Sequence, residues 1–320
     1  MLLKQRNKIF IIIIFAFLAC GGFADAQDEV IRVDSTLVHV PTIVSDRDGR
    51  YVTNLKKEDF QIFEDGVEQE IALFETTEKP FTALLLLDVS GSMTNHMAHL
   101  ANAADAFVSQ MRDDDEIIVA TFSSGRKINI LLEPTKKKDF KYSKQKILLQ
   151  TSNDLGYTTT FDAVERAIKY MKKIQGRRAI VLFSDGEQYG VDASAKSNLR
   201  DAEEQEAVIY TIRFGDYPTA LPGYSEIVSK KDIRKIIAKV DGYMQGLADK
   251  TGGRSYQIDN VADLKKAFEV ISQELGQQYN LGYYSNNKSE PGQKRQIKVR
   301  VKQPNLAVRA RDSYVAKAKK

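Results

Sequence analysis

A single cysteine, Cys20, occurs in 320 residues. Thiol catalysis, zinc–thiolate centres and haem attachment through cysteine are excluded together, and the chain must be held by packing rather than disulfides. Histidine is almost as scarce, with His39, His96 and His99 alone. A hydrolase elbow needs glycines two residues either side of its serine and a histidine further along. Ser90 has Asp88 and Ser92 at those positions, and His96 and His99 follow only a turn or so away, as exposed residues of one predicted helix. A phosphoaspartyl enzyme usually places a second Asp two residues after the first, where this chain has Ser90. No GxxxxGK[ST] phosphate loop occurs. An excess of one charge is missing too. The net charge is +4, and Lys4, Arg6 and Lys8 fall in an N-terminal leader. No basic stripe marks a nucleic-acid face; Lys136–Lys138 and Lys317–Lys320 read as a solvated turn and a charged tail.

Long apolar runs are equally rare. Ile9–Ala19 is strongly apolar, but eleven residues rise only about 17 Å as a helix, short of the roughly 30 Å of a bilayer core. With the preceding basic residues and the small residues of Ala24-Asp25-Ala26, the pattern is a signal peptide over residues 1–26, cleaved before Gln27. No transmembrane helix is expected in the mature chain. A lipoprotein anchored at Cys20 fits less well, because Phe17 and Leu18 depart from the usual lipobox.

What is present is an ordinary globular balance, 42% hydrophobic and 28% charged, enough for two or three cores. Val30–Val44 alternates as a half-buried strand does, and Phe60–Glu64, Asp65-Gly66 and Glu68–Phe74 read as a hairpin. From Phe81 the texture changes. Thr82–Leu87, Ile117–Phe122, Ala179–Phe183 and Val208–Ile212 are short uncharged runs, as strands covered on both faces are. Ala98–Met111 and Phe161–Ile174 between them carry helical spacing. This alternation predicts an α/β fold, a doubly wound and mostly parallel sheet. Lys127–Leu132 follows its predecessor too closely for a helical crossover and reads as an antiparallel edge strand. Ile233–Lys250 and Val261–Gly276 read as closing helices, with Thr251-Gly252-Gly253 as a stop and Arg254–Ile258 as a last strand. Tyr279–Tyr284, Gln296–Lys302 and Leu306–Arg311 return to β texture. The expected division is a β segment at 27–79, an α/β domain at 80–276 and a β segment at 277–320. The two flanks are expected to pair into one β-sandwich around the inserted domain.

The stretch LLLLDVSGSM, residues 84–93, ends a buried strand in a carboxylate and two hydroxyls. Ligands of open α/β sheets bind beyond the carboxyl ends of the strands, where Asp88 falls. Asp185 follows a second such strand (AIVLFSDGE) and ends on the same edge. Gly156-Tyr157-Thr158-Thr159-Thr160 precedes a helix and adds hydroxyls. An all-oxygen set suits a hard ion such as Mg²⁺ and suits zinc poorly.

In these residues the chain resembles von Willebrand factor type A domains: an apolar strand into DxSxS, a threonine after a Gly-containing loop, then an apolar strand into DGE. The match covers roughly residues 81–276, and Tyr157 departs from the family's usual glycine. With VTNLKKEDFQIFEDGVEQEI, TGGRSY and QQYNLGYYS in the flanks, it is similar to exported bacterial "VWFA-related" proteins. The resemblance implies a metal site formed by Asp88, Ser90, Ser92, Thr158 and Asp185, with Thr159 and Thr160 as neighbours that could take the threonine's place. It implies Mg²⁺, with Mn²⁺ or Ca²⁺ possible, and a non-catalytic, adhesion-type module binding a protein ligand whose Asp or Glu carboxylate completes the site. Amides of the helix after Ser92 would help hold that anion, and Glu187 and Tyr189 would lie at the rim. A metal-dependent enzyme, or a non-catalytic subunit of an envelope enzyme complex, is the alternative. The expected location is periplasm, cell surface or exterior. The family further implies a last helix that shifts on ligation; here Val261–Gly276 runs into Tyr279–Tyr284 without a flexible linker.

Overall fold

A computed structural model describes residues 37–124, 127–140, 158–186, 193–215, 229–287 and 292–316. The leader, Cys20, Tyr157, Glu187 and Tyr189 lie outside the described residues.

The chain begins with β1 (Leu37–Ser45), β2 (Phe60–Glu64), β3 (Val67–Gln69) and β4 (Ile71–Glu75). Asp65-Gly66 makes the expected tight turn, both residues at positive φ. The expected second arm of the hairpin is two strands, however. β3 pairs with β2, whereas β4 crosses to another sheet and pairs with a strand more than two hundred residues later. Exposed Glu70 stands at the crossing.

The α/β part follows: β5 (Phe81–Asp88), α1 (Met97–Gln110), β6 (Glu116–Phe122), β7 (Asn129–Lys136), α2 (Thr160–Met171), β8 (Arg177–Ser184), α3 (Ala195–Glu204), β9 (Val208–Phe214), α4 (Lys230–Thr251), β10 (Ser255–Ile258) and α5 (Val261–Gly276). The sheet order is β10-β9-β8-β5-β6-β7. All neighbours are parallel except β7, the expected antiparallel edge. Alternation explains why β5 can be uncharged as far as Leu87. Leu85 and Leu87 enter a core with Leu100, Phe107, Phe268 and Ile271 of α1 and α5. Leu84 and Leu86 enter the opposite core with Val164, Ile168 and Leu247 of α2 and α4. Each fully buried Leu contributes about 2 kcal/mol. α4 stops where Gly252 takes a left-handed φ of 81°, the glycine stop expected there.

The last strands are β11 (Tyr279–Tyr284), β12 (Lys294–Val301), β13 (Ala307–Ala310) and β14 (Ser313–Val315). They combine with the first four into two antiparallel sheets, β13-β1-β11-β4 and β14-β12-β2-β3. Each sheet mixes both flanks. Val40, Phe60, Ile62, Tyr279, Leu281 and Ile297 share one core between them, with Phe60 and Tyr279 rings 5.0 Å apart. The flanks thus form the sandwich, and the α/β part is inserted between β4 and β11.

Buried polar contacts join the inserted part to the sandwich. Glu274 of α5 has no solvent exposure. It accepts from Tyr210 Oη at 2.6 Å and Tyr51 Oη at 3.3 Å, and pairs with Arg309 of β13 and with Arg254. Glu203 of α3 takes Ser313 Oγ at 2.6 Å and the ammonium groups of Lys250 and Lys294 at 2.9 Å. Arg177 at the start of β8 donates to the carbonyls of Lys79 and Leu275, so one guanidinium ties the entry of the insert to its exit.

Candidate functional site

β5 and β8 are parallel neighbours in register, Leu87 beside Phe183. Asp88, the last residue of β5, and Asp185, the residue after β8, therefore emerge on one edge of the sheet. Asp88 is wholly buried. Its Oδ1 accepts from the Ser90 amide at 3.0 Å and its Oδ2 from Ser184 Oγ at 2.6 Å. Gly186 N donates in turn to Ser184 Oγ at 2.9 Å. Ser90 Oγ and Ser92 Oγ lie 3.2 Å apart, and Ser92 Oγ donates to Asp185 Oδ2 at 2.5 Å. Four of the five expected residues are thus brought into one connected group. The segment carrying Ser92 is a tight 3-10 turn, Gly91–His96, with the α-helix starting only at Met97. The amide of Met93 is already bonded to Ser90 O.

Thr158 makes no hydrogen bond to the other four. It is held nearby through Thr159, whose amide and hydroxyl both donate to Ser123 O at 3.1 Å. Ser123 follows β6, whose last residue, Phe122, is level with Asp88. Thr158 Oγ1 is buried without a hydrogen-bond partner. Thr159 Oγ1, by contrast, is committed to Ser123.

Burial, and then the charge of Asp185, push Asp88 up to about 7, against the opposing hydrogen bonds from Ser184 and Ser90. No cation lies within ion-pair distance of it among the described residues. A buried carboxylate raised by its neighbour's charge, linked to that neighbour by serine hydroxyls and beside a buried Thr158 hydroxyl with no hydrogen-bond partner, suits a small hard cation. Oxygens around an octahedral Mg²⁺ are about 3 Å from their neighbours, and the Ser90–Ser92 and Ser92–Asp185 separations bracket that value. The residues present fit such an ion. Among the described residues there is no cluster of three or more His, Cys, Asp or Glu.

Two supporting residues have no role in the sequence reading. Ser184 stands between Asp88 and the Gly186 amide, and the serine before DGE was the available signal. Asp162 Oδ1 accepts from Ala193 N at 2.9 Å, anchoring the chain that enters α3. Gly186 is required: φ is +85°, and a Cβ there would meet Val240 Cγ1 at 2.1 Å. His96 is not an exposed helix residue as expected. It ends the 3-10 turn half-buried, with its ring edge-on to Phe214 at 4.8 Å.

Residues 83–188 match the family model of the von Willebrand factor type A domain. Over those residues the inserted α/β part is similar to that family, and its mostly parallel sheet is the expected one. Similar solved structures include a von Willebrand factor type A protein from Catenulispora acidiphila, with 10% identity, 89% of this chain and 75% of that one covered, and a TM-score of 0.46. Another is an aerotolerance-related membrane protein from Bacteroides fragilis (18% identity, 61% and 98% covered, TM-score 0.43). A third is proximal thread matrix protein 1 from mussel byssus, described with a zinc-occupied MIDAS motif (15% identity, 66% and 49% covered, TM-score 0.47). Identities and scores this low carry no functional weight. No curated protein matches the chain. No helix among the described residues is long and apolar enough to cross a membrane.

Proposed function

We propose that this chain is an exported module that binds a protein ligand through a divalent cation held by Asp88, Ser90, Ser92, Thr158 and Asp185. The observation that carries the reading is the buried Asp88 carboxylate, linked through two serine hydroxyls to Asp185 and adjoined by the orphaned Thr158 hydroxyl. The bound ion, Mg²⁺ by preference and Mn²⁺ or Ca²⁺ as alternatives, would supply the missing positive charge and a Lewis-acidic position for an incoming Asp or Glu carboxylate. Asp88 and Asp185 would cancel its charge and the three hydroxyls would add donors without charge, while Ser184 fixes the Asp88 carboxylate. Among the described residues no histidine is hydrogen-bonded to Ser90 or Ser92, which favours binding over turnover. Export rests on the leader at residues 1–26, which places the module in the periplasm, on the cell surface or outside.

Titration calorimetry of Mg²⁺ and Mn²⁺ into the purified chain tests the site. Binding should vanish in Asp88→Ala, with the fold retained by circular dichroism. Undiminished affinity in that variant would end the assignment.

A further inference from the structure

We infer that the first ten residues of α4 form a second contact surface beside the metal edge, fitted to an acidic segment of the protein ligand. The inference rests on the reading of the site given above and adds to it the character of the partner.

The height of α4 against the sheet is fixed at two levels. Near its C-terminal end, Thr251 Oγ1 accepts from Ile209 N at 2.9 Å, at the start of β9. Higher up, Asp241 Oδ1 accepts from Arg213 Nε at 2.6 Å. Arg213 is level with Ser184 across the sheet, one residue before Asp185. Ten helical residues climb about 15 Å and the matching four strand residues about 13 Å, so helix and strand rise together. Val240 then meets Gly186, the residue after Asp185. Lys230–Lys239 therefore continues for roughly another 15 Å beyond the edge on which Asp88 and Asp185 end.

This overhang is cationic. Lys231, Arg234 and Lys239 are exposed, with no acid within ion-pair distance among the described residues; Lys235 pairs with Asp232 at 3.1 Å. Lys231, Lys235 and Lys239 fall four apart on one helix face, a spacing at which like charges destabilise a helix. Lys231 also lies in the first turn, where the helix dipole disfavours a cation. The charges thus stand where local rules disfavour them. Ile236 and Ile237 beside them are half-buried, giving the surface an apolar strip. A positive wall next to a cation site raises the local concentration of an acidic segment and orients it. One carboxylate of that segment would reach the ion while others meet Lys231, Arg234 and Lys239.

The test uses the full chain and a fluorescein-labelled oligoglutamate peptide, read by anisotropy in Mg²⁺ and in EDTA. The peptide should bind in Mg²⁺ and weaken with salt. The triple variant Lys231→Glu, Arg234→Glu, Lys239→Glu should bind it about tenfold more weakly, with Mg²⁺ affinity by calorimetry not reduced. Absence of peptide binding to the Mg²⁺-loaded chain, or equal binding by the triple variant, overturns the inference. So does a loss confined to anionic phosphatidylglycerol vesicles, which would make the surface a membrane contact. Failure of the metal site itself shows separately, as Mg²⁺ binding that survives Asp88→Ala.

Discussion

Asp88 and Glu274 are both carboxylates removed from water, at opposite ends of the same inserted domain. Glu274 is surrounded by Arg309, Arg254 and two tyrosine hydroxyls drawn from both parts of the molecule. Asp88 is met by hydroxyl and amide donors and by another carboxylate, and is pushed up to about 7. The difference separates two uses of a buried charge. One is neutralised within the chain and holds domains together. The other is left short of positive charge, a state the fold sustains only at some cost, and a cation from solution would relieve it.

The largest effect should come from breaking the first kind. Glu274→Ala leaves Arg309 without its carboxylate and should lower stability by about 3–5 kcal/mol, measured by urea unfolding. A loss below 1 kcal/mol would show that the junction is not held by this cluster. Glu203 offers the same contrast through pH. Burial alone would raise it, but bonds from Ser313, Lys294 and Lys250 outweigh that and hold it at about 2, against an ordinary 4.5. Its folded value is depressed, so its contribution is complete above pH about 4.5 and is lost as pH falls towards 2. The loss should be on the order of 2 kcal/mol, discounted because both lysines are partly solvated. A Glu203→Gln chain should lack this acid limb; an unchanged pH profile would contradict it.

Asp88→Asn sharpens the comparison from the other side. It keeps a hydrogen-bonding carbonyl and removes the repulsion with Asp185, so the metal-free chain should be as stable as wild type or slightly more so. Mg²⁺ should no longer raise its melting temperature, whereas at a hundredfold excess over Kd it should stabilise the wild type by about 2.7 kcal/mol. The smallest effect separates neighbouring threonines. Thr159→Ala removes a bond to Ser123 and should cost about 1 kcal/mol with Mg²⁺ binding kept. Thr158→Ala should cost little and weaken Mg²⁺ binding. The reverse outcome would move the ligand by one residue.

The metal edge was legible in sequence because its parts are local. A run of leucines ending in Asp88, and a second apolar strand ending in Asp185, each announce the end of a buried parallel strand. Placing those two ends on one edge needs only that the strands carrying them run parallel in the sheet. The junction was not legible. Tyr51, Tyr210, Glu274 and Arg309 come from four distant segments, and no periodicity marks their meeting. α3 was missed for another reason: Ala195, Leu199 and Ala202 are its few apolar residues, too sparse for a stripe. Its cap, Ser194 accepting from Ser197 N, was the available signal. The crossing at Glu70 escaped because β3 and β4 alternate alike, and only their different partners separate them.

The interleaving of the flanks also sets an order in time. Apart from a local bridge between Ser45 and Tyr51 at its end, β1 pairs only with strands beyond residue 278, so most of β1 has no partner until almost the whole chain exists. At about 5–20 residues per second of synthesis, that interval is on the order of ten seconds or more. The central sheet, complete at β10, can close first and, through Arg177, bring Lys79 and Leu275 together for the late strands to find. Until then β1 and β4 present unpaired edges, which invite association with other chains. A slow, concentration-sensitive phase on refolding is therefore expected from the sandwich, while the domain that carries the metal edge forms early.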